Sequence, residues 1–202
     1  MKRLSRPFFG RPARKVAEDL LGKRLVSVVD GQRIAGIIVE TEAYCDTEER
    51  DMACHGDRAN DGLPTKRTGV MFGPPGFAYV YFTYGMHWMF NVVTGKPGQA
   101  NAVLIRALEP MEGLDMMRDL RSRPNQELTN GPAKLAQALA INQAHHGLDL
   151  CDVGSPIWIE EGWGVEVYNI RTGPRIGLGK TPEPWLSAPW RYWIDKNPFV
   201  SR

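Results

Sequence analysis

Apolar residues recur at helical spacing between residues 11 and 21, where Ala13, Val16, Ala17, Leu20 and Leu21 fall on one face, with Pro12 at the start and Gly22 just past the end. That spacing predicts a helix. β-Branched residues dominate 24 to 29 and 33 to 39, joined through Asp30-Gly31, and predict a hairpin from whose second strand Glu40 to Tyr44 leads away. Residues 45 to 69 are polar, charged and too long for an idle connection, as a functional loop is. Gly73-Pro74-Pro75-Gly76 is a rigid turn into an apolar strand over 77 to 83, and a second strand follows over 87 to 94. The tip of this second hairpin carries Tyr84 and Met86 in place of the usual turn residues, which suits either an exposed wedge or side chains folded back over the core. Beyond it the pattern predicts a strand over 102 to 108, a helix over 111 to 121, a helix over 132 to 141 capped by Asn130, and short strands over 157 to 159 and 165 to 170. Strands and helices do not alternate. The expected fold is therefore α+β: a single domain spanning 1 to 202, with a curved, largely antiparallel sheet, flanking helices and a protruding hairpin.

A chain of 202 residues can bury a core without a disulfide or metal staple. Three cysteines without a Cys-x-x-Cys pair point to free thiols, and the adjacency of Cys54 and His55 is poor ligand spacing, so neither metal nor cofactor is expected. The sequence has no long apolar run and no charged-then-apolar leader, which leads to the expectation of a soluble, intracellular protein (cytoplasmic, nucleoid or nuclear) without membrane association. A net charge of +2 does not by itself demand a nucleic-acid partner. The charge is unevenly spread, however: eight basic residues against two acidic over 1 to 25, and six acidic against one basic over 40 to 51. Such asymmetry fits a protein with a phosphate-facing side, although solvated charge runs explain either half alone.

Glu40, Glu42 and Tyr44 alternate along an extended segment and share one face; Tyr79 and Tyr81 do the same on a later strand. If both strands line one cleft, a carboxylate is ringed by aromatic faces, an arrangement that suits a nucleobase turned out of its stack, stacking being worth about 1 to 3 kcal/mol per base. A cationic alkylpurine gains roughly 0.5 to 2 kcal/mol more from aromatic faces. Core packing of Tyr79 and Tyr81 is the plainer alternative. His55 and His87 are candidate hydrogen-bond donors or proton carriers, whereas His145 and His146 sit at a predicted helix end, where a cation complements the dipole. Arg106 follows an apolar run and is expected to be held by a carboxylate.

Taken together, Glu40-Thr41-Glu42-Ala43-Tyr44, Met71-Phe72-Gly73-Pro74-Pro75-Gly76, the run from Tyr79 to His87, Asn91-Val92-Val93, the run from Val103 to Pro110, Gly131-Pro132-Ala133-Lys134-Leu135 and the final Asn197-Pro198-Phe199-Val200-Ser201-Arg202 closely resemble the alkyladenine (3-methyladenine) DNA glycosylase family. The resemblance covers nearly the whole chain. It implies a fold like the carboxy-terminal domain of methionyl-tRNA formyltransferase and a monomeric, monofunctional, cofactor-free enzyme of base excision repair, acting on double-stranded DNA that contains damaged purines. By this resemblance Glu42 is the general base; Tyr44, His55 and Tyr81 line and sandwich the extruded base; Asn91 crowds the purine 2-position; Arg106 holds the catalytic geometry; and Tyr84 intercalates into the gap. The chain departs from the family at Lys66-Arg67-Thr68, where Arg-Asn is common, and in a somewhat longer segment between His55 and Met71. The implied reaction is hydrolysis through an oxocarbenium-like sugar, in which a carboxylate orients water and stabilises positive charge. A non-catalytic nucleic-acid-binding module of the same fold could dispense with Glu42, and a zinc nucleobase deaminase would need a His-x-Glu and Pro-Cys-x-x-Cys set that is absent.

Overall fold

The computed structural model describes residues 1–45, 51–58, 63–164 and 169–201. Two short helices open the chain, α1 (Arg6–Phe9) and α2 (Ala13–Asp19), followed by strands β1 (Arg24–Val29) and β2 (Gln32–Tyr44). After α3 (His55–Arg58) come a 3-10 turn over Gly69–Phe72 and the hairpin of β3 (Ala78–Thr83) and β4 (His87–Val93). Then follow β5 (Ala102–Glu112), helices α4 (Leu114–Arg121), α5 (Asn125–Leu128) and α6 (Pro132–Ala138), and strands β6 (Ile157–Glu160), β7 (Ile170–Gly173) and β8 (Arg191–Ile194). All pairings are antiparallel, in the order β3-β4-β5-β2-β1-β6, with β8 joining β2 and β7 joining β8. The expected α+β class holds, and the sheet is curled.

One face of the sheet carries the main core. Ile34, Ile38, Ala43, Val80, Phe90, Val92, Val103, Ile105 and Leu108 pack there against Val16, Leu20, Met117 and Leu135 from the helices. The alternate residues Glu42, Tyr44, Tyr79, Tyr81, Asn91 and Leu104 point the other way, as the two-residue period of a strand requires. We refer to that second face as the cleft face.

The phase of this alternation is reset in the middle of the sheet. Ile38 pairs with Leu108, Glu40 with Ala107 and Thr41 with Ile105, so Val39 on β2 and Arg106 on β5 are each one residue too many. Paired bulges of this kind re-aim side chains. Before the bulge Ile37 and Val39 share a small apolar cluster with Ala107; after it Glu40 and Glu42 occupy the cleft face, while Thr41 turns back and donates from Oγ1 to the Ala17 carbonyl of α2. Arg106 is thereby aimed at both glutamates.

Several sequence expectations need correction. β2 does not end at Val39 but continues to Tyr44, because β5 pairs along one edge and β8 takes over from β1 along the other. β5 runs past Pro110 to Glu112, so Met111 is strand, and the helix begins only after Gly113 turns the chain at φ 72°. Helix α6 stops at Ala138, and its cap position is Gly131; the Asn130 side chain instead accepts from Lys134 Nζ at 2.8 Å. The expected strand over 165 to 170 falls largely outside the described residues; of it, Ile170 opens β7, which runs on to Gly173. His145 and His146 follow α6 in a 3-10 turn, and burial lowers both pKa values, so neither is a dipole-complementing cation at neutral pH. His87 lies exposed at the start of β4. Among the described residues no helix is long and apolar enough to cross a membrane.

Candidate active site

β2 delivers Glu42 to the centre of the cleft face with no solvent exposure. Its Oε2 accepts from the Tyr44 hydroxyl at 2.8 Å, and its Oε1 accepts from the Ile176 backbone N–H at 2.7 Å and lies 3.2 Å from Arg106 Nη1. Burial is the largest influence on this carboxyl and raises its pKa; Arg106 and the two hydrogen bonds oppose it without cancelling it. Glu40, two residues earlier, is equally buried and accepts from Arg106 Nε (3.2 Å), Arg191 Nη1 (3.0 Å) and the Ser201 backbone N–H (2.7 Å). Arg106 thus bridges two carboxylates, with its Nη2 donating to Ser201 Oγ at 3.2 Å.

Above this layer is a cavity of about 380 Å³. Tyr44, His55, Tyr81, Asn91, Arg106 and Tyr84 all contribute to its wall. Six of the seven sequence-predicted site residues therefore meet in one place. Glu42 contributes no surface; its link to the cavity runs through Tyr44, Arg106 and Ile176, which both bind the carboxylate and face the cavity. Burial, the largest influence, raises the Tyr44 and Tyr81 phenol pKa values well above their ordinary range, so both are neutral hydroxyls near pH 7.

The aromatic wall is cross-braced. His55 Nδ1 lies 2.9 Å from the Tyr79 hydroxyl, its ring meets Tyr81 edge-on at 4.7 Å, and Tyr79 and Tyr81 are tilted rings 5.3 Å apart. Tyr79 is 1% exposed, as core packing predicts, yet it also faces the cavity; burial pushes its phenol up to about 12. Asn91 is held by its Nδ2 donating to the Tyr79 carbonyl at 3.1 Å. At the hairpin tip, Tyr84 and Met86 are 80% and 68% exposed. Of the two sequence possibilities, the projecting one is therefore correct.

Residues 7–198 match the methylpurine-DNA glycosylase family. The chain belongs to that family. Relatives include proteins of Carboxydothermus hydrogenoformans (46% identical over 200 residues, 98% of each chain), Methanocella arvoryzae (46% over 201 residues, 98% of this chain and 96% of the relative) and Alkaliphilus oremlandii (42% over 209 residues, 99% of each). Each is provisionally named a 3-methyladenine DNA glycosylase. The protein is accordingly a DNA glycosylase, a hydrolase of N-glycosyl bonds, with DNA as its substrate.

Sequence reasoning missed one wall of the glycosylase site. Ile176, Gly177, Leu178 and Thr181 close the cavity from a segment beyond the last element that the apolar pattern predicted. Arg175 anchors that wall: its guanidinium is buried, pairs with Asp51 at 2.6 Å, donates to the Ala43 carbonyl at 3.0 Å and lies 4.8 Å from the ring centroids of both Tyr44 and Trp190. Ile176 acts through its backbone N–H, which leaves no side-chain signature. Asp51 gives part of the acidic run a structural place, while residues 46–50 lie outside the described residues. Among the described residues, no group of three His, Cys, Asp or Glu is placed to hold a metal ion, and none of the three cysteines is in a disulfide.

Proposed function

We propose that this glycosylase is monofunctional and turns one alkylated or deaminated purine, of the 3-methyladenine, 7-methylguanine, hypoxanthine or ethenoadenine class, out of duplex DNA into the 380 Å³ cavity. Water hydrolyses the glycosidic bond there and leaves an abasic site. One observation carries the reading: a buried carboxylate with a raised pKa lies directly behind an aromatic-walled cavity, at whose mouth a tyrosine projects from a hairpin.

In this reading Glu42, ionised, takes a proton from a water admitted past Tyr44, Arg106 and Ile176, and its charge stabilises the cationic sugar. Tyr44, His55 and Tyr81 hold the base, Asn91 crowds its 2-position, Arg106 keeps Glu42 in place, and Tyr84 fills the gap left in the stack. No lysine faces the cavity among the described residues, which argues against a Schiff base and hence against strand cleavage by β-elimination.

Duplexes carrying one defined lesion each, incubated with the protein and then treated with alkali, test this. Strand breaks at the lesion only after alkali are expected. Breaks without alkali, or none with any of the four lesion classes, would contradict the proposal.

A further inference from the structure

We propose that Arg67 sets the charge preference of the base cavity, disfavouring purines that carry a positive charge and favouring neutral ones; the inference rests on the function proposed above. Arg67 is exposed, and its guanidinium carbon lies 4.8 Å from the centroid of Tyr81, a ring of the cavity wall. Its Nη2 is 3.4 Å from His55 Nδ1, the atom that also meets the Tyr79 hydroxyl. A guanidinium can only donate, so Nδ1 accepts and the imidazole N–H is left on Nε2.

The deeper charges of the site balance among the described residues. Glu40, Glu42 and Asp51 are matched by Arg106, Arg191 and Arg175. Among the described residues, none of the ion pairs involves Arg67. Among the described residues, then, no carboxylate offsets its charge beside the aromatic wall.

That field alters what the wall selects. An aromatic face normally attracts a cation through its π-electrons. Tyr81 already serves one cation, so a second stacked on the ring meets the guanidinium's repulsion as well as the ring's attraction. At a separation of about 8 Å and an effective dielectric of about 40, the repulsion corresponds to about fivefold in binding. A neutral base such as hypoxanthine avoids it. A proton that helps hypoxanthine leave brings its charge level with that of 7-methylguanine, so the repulsion separates the two lesions in the bound ground state, before the bond breaks. Specificity built from such a repulsive element is a difference between competitors.

The test compares apparent affinity, the reciprocal of the half-saturating enzyme concentration in single-turnover excision, for hypoxanthine and 7-methylguanine in otherwise identical duplexes. Arg67→Gln is expected to lower the hypoxanthine-to-7-methylguanine ratio about fivefold, and Arg67→Lys, which retains the charge, to restore most of it. A ratio unchanged in Arg67→Gln overturns the inference. So does an equal loss for both lesions accompanied by a shallower salt dependence, which would make Arg67 a phosphate-binding residue. If the wild-type protein excises neither lesion, the proposed function itself falls and this inference with it.

Discussion

Glu42 concentrates the physics of the site at the scale of one residue. Its carboxyl is desolvated, which raises its pKa, and Arg106 offsets part of that cost. Because the folded-state pKa lies above the ordinary value, ionising Glu42 costs folding stability. The cost is absent below the ordinary carboxylate range and complete above the raised value. A base must be ionised to act, so excision of a cationic lesion such as 7-methylguanine should rise with pH through the Glu42 ionisation and then level off. For neutral hypoxanthine, whose departure is helped by a proton, the rate should fall again at higher pH. Arg106→Gln removes the main opposing influence and should move the rising limb to higher pH. Superimposable rising limbs in wild type and Arg106→Gln, measured by single-turnover excision of 7-methylguanine, would show that Arg106 does not tune Glu42.

The β3–β4 hairpin poses the question at the scale of an element. Tyr84 and Gly85 both have positive φ, 51° and 69°, a backbone that Gly and Asn adopt readily and tyrosine does not. A bulky residue held there at a cost of about 1 to 2 kcal/mol, and exposed as well, is poorly explained by folding alone. Tyr84→Asn is therefore expected to stabilise the protein by about 1 kcal/mol in thermal or denaturant unfolding. The same change should slow excision from paired duplex about tenfold, since stacking in the gap is worth roughly 1 to 3 kcal/mol. The defect should shrink when the lesion sits in a bubble; equal loss in both contexts would move Tyr84 out of the extrusion step. Part of this scale was legible in sequence: alternation in β3 placed Tyr79 and Tyr81 on one face, while Asn91 entered only through the family resemblance. The double bulge at Val39 and Arg106 was not, because two compensating insertions leave no break in composition. β8 was hidden by its shortness, four residues just after a segment rich in Pro and Trp, and its role is to extend β2 past the end of β1.

Across the whole molecule, the basic bias of the first 25 residues reads differently in three dimensions. Arg6, Arg11, Lys15, Lys23 and Arg24 are engaged with Asp149, Asp19, Glu161 and Glu112, and α2 packs on the sheet face opposite the cleft. Sequence could show the imbalance but not the long-range partners that absorb it. Exposed cations nearer the cavity include Lys66 and Lys180, the latter between the wall residues Leu178 and Thr181. Binding to undamaged duplex should weaken with salt, and replacing Lys66 and Lys180 by Gln should reduce the log–log slope by roughly 0.9 for each phosphate that these lysines neutralise. A slope unaffected by that pair but reduced by Lys2→Gln would put the DNA at the β6 edge of the sheet, where the Lys2 carbonyl accepts from the Glu161 N–H. The assembled site, with its neutral aromatic wall, projecting hairpin and balanced buried ion network, has a purpose as an enzyme only if the carboxylate behind the cavity is the base. Glu42→Gln keeps the shape and removes the charge. Single-turnover excision of hypoxanthine by this variant should fall by roughly 10² to 10⁴ while duplex affinity and Tm stay near wild type; excision at close to the native rate would contradict the account.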